Sequence, residues 1–148
     1  MDFLSQLQDL GLAAVLALSA VGSGLGSGAA GMAAVGAWKK CFAQNKAAPF
    51  ILTVFVGAPL TQTVYGMIVM NTLAARVAAG GKFFWSMGIL SGLAIGISAW
   101  MQGLAGAAAA DAMAETGKGF GNYIMVLGVI ETVAIFVMVF TIMGVGRV

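Results

Sequence analysis

The chain has 148 residues, 61% of them hydrophobic and 8% charged, with a mean hydropathy of +1.01. A soluble domain needs a far more polar surface, so this composition belongs in a bilayer. Seven scattered bases against five acids, with no basic run, leave no footprint for nucleic acid. One cysteine, Cys41, and no histidine exclude an internal disulfide framework and the usual zinc or haem ligand sets, and the polar side chains are too few for a nucleophile, base and orienter triad.

A spanning helix needs roughly 20 apolar residues. Four stretches supply them, at about 10–37, 49–75, 83–110 and 120–144, which predicts an all-α membrane protein of four transmembrane helices. The N-terminal run Met1-Asp2-Phe3-Leu4-Ser5-Gln6 lacks the basic start of a cleavable signal, so the first stretch is expected to persist as a structural helix.

Span one is dense in small residues: Gly22, Gly24, Gly26, Gly28 and Gly31 lie within it, and such a face lets another helix backbone approach closely. The same run contains a formal GxGxxG at Gly26–Gly31, but no strand precedes it and the position some twenty residues on, near Ile51, is apolar rather than acidic. Packing, not nucleotide binding, is the expected role. The first loop is read as carrying Lys39, Lys40, the thiol of Cys41 and Lys46. With three bases after span one and none before it, the positive-inside rule puts this loop in the cytoplasm and both termini outside. Trp38 and Trp85 stand at span ends, where interfacial aromatics belong.

Span two places Thr61, Gln62 and Tyr65 at mid-membrane depth, with Gln62 and Tyr65 three apart on one helix face. Pro59 precedes them; a proline inside a helix removes an amide donor and leaves carbonyl oxygens short of partners. The middle connection carries Arg76 and Lys82. Span three repeats the small residues at Gly103 and Gly106 and adds Gln102, an amide that is expensive in lipid. Asp111, Glu115 and Lys118 are read as the last loop. Span four carries Glu131 near its centre, where a charge costs several kcal/mol.

Laying residue 23 on residue 98 pairs Ser23 with Ser98, Gly28 with Gly103, Gly31 with Gly106 and Ala34 with Ala109; further on, Gln62-Thr63-Val64 lines up with Glu131-Thr132-Val133. The chain therefore reads as two tandem hairpins, residues 1–77 and 78–148, repeated in parallel about an axis along the membrane normal. A carboxylate, two side-chain amide oxygens, a hydroxyl and a backbone carbonyl would surround a hard monovalent cation with oxygen, and one negative charge suits Na+ better than Mg2+ or Ca2+. A proton carrier needs only the carboxyl group.

These residues resemble the duplicated four-helix proteolipid, often called K or c, of V-type and related A-type ATPases. The carriers are the glycine-rich first helix, Pro59-Leu60-Thr61-Gln62-Thr63-Val64-Tyr65-Gly66, Gln102-Gly103 and Val129-Ile130-Glu131-Thr132. The resemblance implies a rotor ring of identical subunits in the cell membrane, with the first and third helices inside and the second and fourth outside. It implies a membrane stator subunit, a central-stalk subunit at the cytoplasmic loops, and nucleotide hydrolysis on other subunits rather than on this one. For the sodium-translocating branch it further implies Na+ at Glu131, Gln62, Thr61, Gln102 and the Ala58 carbonyl, with Tyr65 holding the carboxylate. Leu60 and Trp100 are bulkier than that pattern suggests. A proton-translocating ring is the alternative within the family; a small four-helix exporter or a structural pore is the alternative outside it.

Overall fold

The computed structural model describes residues 3–80 and 85–147, and among these the side chains of all but residues 4–9. Five α-helices follow in order: α1 (Phe3–Ala43), α2 (Leu52–Gly57), α3 (Thr61–Ala78), α4 (Trp85–Thr116) and α5 (Phe120–Val145). A single 3-10 turn, Ala58–Leu60, joins α2 to α3, so Leu52–Ala78 acts as one span. No strand occurs among the described residues. Among the same residues, four helical segments are long and apolar enough to cross a membrane: Leu10–Ala43, Leu52–Ala78, Trp85–Thr116 and Phe120–Val145.

Helices run past the apolar stretches because a helix stops where its backbone hydrogen bonding stops, not where hydrophobicity does. With 41 residues, α1 is about 60 Å long, twice a typical hydrocarbon thickness. Lys39 and Lys40 therefore stand on its last turns rather than in a loop, and Cys41, expected in the loop, is a buried helical residue. Asp111 and Glu115 are likewise on α4, not in the connection after it. Lys82 and the expected start of the third span at residue 83 lie outside the described residues.

The turns have simple local causes. Asn45 at φ 53° follows the end of α1 and turns the chain, and the Trp38 indole N–H donates to the Pro49 carbonyl at 2.9 Å, drawing the returning chain back to α1. Gly117 and Gly119, at φ 66° and 90°, take the left-handed conformations that reverse the chain between α4 and α5.

Packing is organised around α1 and α4. Their backbones touch through glycine: a Cβ at Gly22 would collide with the backbone of Gly96, and one at Gly103 with the backbone of Gly26. In lipid, where apolar burial supplies no drive between helices, such close van der Waals contact is the main source of association. The α2–α3 span and α5 pack against this pair, leaving most of α5 exposed, including Val126, Val129, Val133, Phe136 and Phe140. Two apolar clusters result. Val15, Val69, Leu73, Ile95 and Ala134 form one; Ala34, Leu52, Phe55, Ala110 and Leu127 form the other. A polar layer lies between them.

Candidate ion-binding site

That layer begins at Pro59. Having no N–H, Pro59 cannot serve the Phe55 carbonyl, and the chain tightens into the 3-10 turn Ala58–Leu60 before α3 resumes. Gly106 sits against the freed Phe55 carbonyl, where a Cβ would come within 2.9 Å of the oxygen. The tight turn also directs the Ala58 carbonyl at Thr61, whose backbone N–H and hydroxyl both approach it, the hydroxyl at 3.0 Å.

Glu131, at the centre of α5, is half-buried and meets donors from both hairpins. Its Oε1 accepts from the Thr61 hydroxyl and from the Tyr65 hydroxyl, each at 2.7 Å, and its Oε2 accepts from the Gln102 amide at 3.3 Å. Hydrogen bonds to an ionised acceptor are the strong kind, and three of them replace much of the hydration that a carboxylate loses in a membrane.

Behind the carboxylate, Gln62 and Gln102 are fully buried and joined, the Gln62 Nε2 donating to the Gln102 Oε1 at 2.8 Å. The Gln102 Nε2 also donates to the Leu127 carbonyl at 3.0 Å. Gln102 therefore shows Glu131 its nitrogen, whereas a cation ligand would have to show its oxygen; half a turn of the amide exchanges the two.

Oxygen atoms crowd around Thr61. Its Oγ1 lies 3.0 Å from the Ala58 carbonyl, 3.1 Å from the Gln62 Oε1 and 2.7 Å from the Glu131 Oε1. A hydroxyl has one proton and can satisfy only one of these three acceptors at a time. Three acceptors thus share the single Thr61 hydroxyl hydrogen. Although Tyr65 also donates to the Glu131 Oε1 and the Thr61 N–H to the Ala58 carbonyl, the four oxygens form the kind of shell that a small hard cation takes.

The structure brings together Glu131, Thr61, Gln62, Gln102, Tyr65 and the Ala58 carbonyl from the two hairpins. The helix-packing glycines divide into two groups. Gly22, Gly26, Gly103 and Gly106 make close contacts within the chain; Gly31 has only the Val56 side chain at 3.6 Å from an added Cβ, and Gly24 and Gly28 have nothing within 4 Å. Two participants were not singled out in the sequence: the Leu127 carbonyl, and Ser98, which donates to the Ile130 carbonyl at 2.9 Å. The repeat pairing Ser98 with Ser23 was the available sign for the latter.

Residues 85–143, within the second hairpin, match the family of ATP synthase C subunits. The match covers 59 of the chain's 148 residues and is a likeness of this segment to that subunit. No curated protein matches the chain. With four spanning helices, it is a multi-pass integral membrane protein. The matched segment contains Gln102 and Glu131, while Thr61, Gln62 and Tyr65 lie on the other hairpin.

Proposed function

We propose that the whole chain is the rotor-ring subunit of a V-type rotary ATPase and carries Na+ as cargo at Glu131. The observation that supports this best is the convergence of the Gln62 Oε1, Ala58 carbonyl and Glu131 Oε1 on the Thr61 hydroxyl, which has one hydrogen to offer the three. A hard monovalent cation takes oxygen ligands and one balancing charge. Gln102 joins the ligands once its amide turns, and Tyr65 keeps the carboxylate aimed into the site.

The site explains coupling in elementary terms. A bare carboxylate facing lipid is costly, so a subunit turns outward only after an ion has neutralised Glu131. At the stator, a fixed cation competes for Glu131 and releases the ion into an exit path. Binding thereby gates rotation, and hydrolysis on other subunits drives it. The duplication, with Gln62 standing where the second hairpin has Glu131, leaves one carboxylate and so one ion per chain.

One observation favours a proton instead. In its present orientation the Gln102 amide offers hydrogen to Glu131, and a proton carrier needs no further oxygen ligands. Binding of radioactive Na+ to the purified protein by equilibrium dialysis separates the two. One Na+ per chain, lost in Glu131→Gln, is expected; no saturable Na+ binding at neutral pH would leave the proton reading.

A further inference from the structure

Two buried hydroxyls behind this site have no hydrogen-bond partner among the described residues: the Oγ atoms of Ser23 and Ser27, one turn apart on α1. Ser23 is 2% exposed. Other serines of the bundle are satisfied, Ser19 by the Val15 carbonyl at 2.7 Å and Ser98 by the Ile130 carbonyl at 2.9 Å. An unpaired hydroxyl in an apolar interior loses free energy comparable to a missing hydrogen bond, so a pair of them calls for a partner.

Their place follows from the register of α1 against the second span, which runs antiparallel to it. A Cβ at Gly66 would strike the Ser19 side chain, and a Cβ at Gly26 would come 3.0 Å from the Cβ of Pro59. Between these two contacts, Ser23 falls level with Gln62, and one turn on, Ser27 falls level with Ala58. Both are residues of the oxygen cluster. Gln62 has an unmet need of its own: it is fully buried, its Nε2 carries two hydrogens, and a single acceptor, the Gln102 Oε1, is found for them.

The internal repeat explains why the serine is unpaired here and not in the second hairpin. Ser98, the repeat partner of Ser23, faces an unbroken helix and reaches the carbonyl before Glu131 directly. Ser23 lies level with Gln62, just past the 3-10 turn at Pro59, whose counterpart in the second hairpin is Gly128. The first hairpin thus differs from the second in the very stretch that faces the serine, and there the hydroxyl has no partner.

We propose that Ser23 and Ser27 hold a buried water molecule that hydrogen-bonds to the Gln62 amide, forming a polar floor beneath the ion site. A buried water makes about three hydrogen bonds to otherwise unsatisfied groups, and two hydroxyls with one free amide hydrogen supply that number. Its effect is positional. By holding the Gln62 nitrogen on the α1 side, it keeps the Gln62 Oε1 turned toward Thr61 and Glu131. This inference rests on the reading of that cluster as a cation site, though the water itself does not depend on which ion is carried.

Two measurements test it together. A map of the wild-type protein in lipid, at a resolution that shows ordered water, is expected to contain density within hydrogen-bond distance of the Ser23 Oγ, the Ser27 Oγ and the Gln62 Nε2. In parallel, Na+ protection of Glu131 from a carboxyl-reactive carbodiimide is titrated for wild type, Ser23→Ala and Ser23→Ala/Ser27→Ala, with thermal stability measured alongside. The half-protecting Na+ concentration is expected to rise about fivefold in the double variant, the factor that one hydrogen bond's net contribution carries. A map in which each hydroxyl bonds the carbonyl one turn back, with no water between, overturns the proposal. So does a double variant whose stability falls while its Na+ midpoint stays put, since that marks a packing role alone. If wild-type Glu131 is indifferent to Na+, the cation reading fails instead, and the map alone decides on the water.

Discussion

Gln62 and Gln102 join amide to amide at 2.8 Å across the two hairpins, both fully buried between two apolar clusters. Each supports the other, so removing one leaves its partner with an unpaired polar group inside the membrane. Gln102→Ala is expected to cost about 1–3 kcal/mol of stability from this cause. It is also expected to weaken Na+ binding while carbodiimide still labels Glu131. Thermal unfolding in detergent and a Na+ titration of labelling measure the two effects separately.

Tyr65→Phe keeps the ring and removes one of the three hydrogen bonds to Glu131. A hydrogen bond to a charged group contributes about 1.5–3 kcal/mol, so Na+ affinity is expected to fall on the order of tenfold or more. Isothermal titration with NaCl checks the size of the change. An unchanged affinity would mean that Tyr65 does not hold the carboxylate in the bound state.

The two groups of glycines call for opposite outcomes. Gly22→Leu and Gly103→Leu drive a side chain into the backbone of the partner helix and are expected to prevent the α1–α4 pair from forming. Gly28→Leu meets nothing within 4 Å inside the chain. It should leave the four-helix fold intact and act only where a neighbouring protomer approaches. Circular dichroism with native mass spectrometry distinguishes these cases: Gly28→Leu is expected to stay folded and lose the oligomer. A wild type that runs as a monomer would contradict the ring.

The hairpin connections near Lys46 and Lys118 are expected on the cytoplasmic side, where they would dock the central stalk. Cys41 is a poor reporter of this because it is buried on α1. Lys46→Cys in a Cys41→Ser background places the thiol at an exposed position. Labelling of Lys46→Cys by an impermeant maleimide only in inside-out vesicles supports the orientation; labelling only in right-side-out vesicles reverses it.

Much of the site was legible because polar side chains within apolar spans are rare and costly, so Glu131, Gln62, Thr61 and Gln102 stood out from their surroundings. The four spans were legible for the same reason. What escaped depends on rotation about helix axes and on side-chain orientation. Gly22 and Gly26 share one face of α1 and Gly24 and Gly28 the opposite one, but spacing alone does not say which set meets α4. The direction of the Gln102 amide, and the link it makes to Gln62, require both helices to be placed. The ends of α1 and α4 escaped because charged residues such as Lys39 and Glu115 can ride on a helix that has already left the hydrocarbon.

The most direct test of the account is the reaction of Glu131 with a carboxyl-reactive carbodiimide, followed with and without Na+ across neutral and mildly acid pH. The reagent attacks the protonated carboxyl, and protons and Na+ compete for the same group. Na+ is therefore predicted to slow labelling near neutral pH, and to protect less as the pH falls and protons displace it. Glu131→Gln is predicted to abolish labelling. Labelling of the wild type that proceeds at the same rate with and without Na+ throughout that range would contradict Na+ as the cargo.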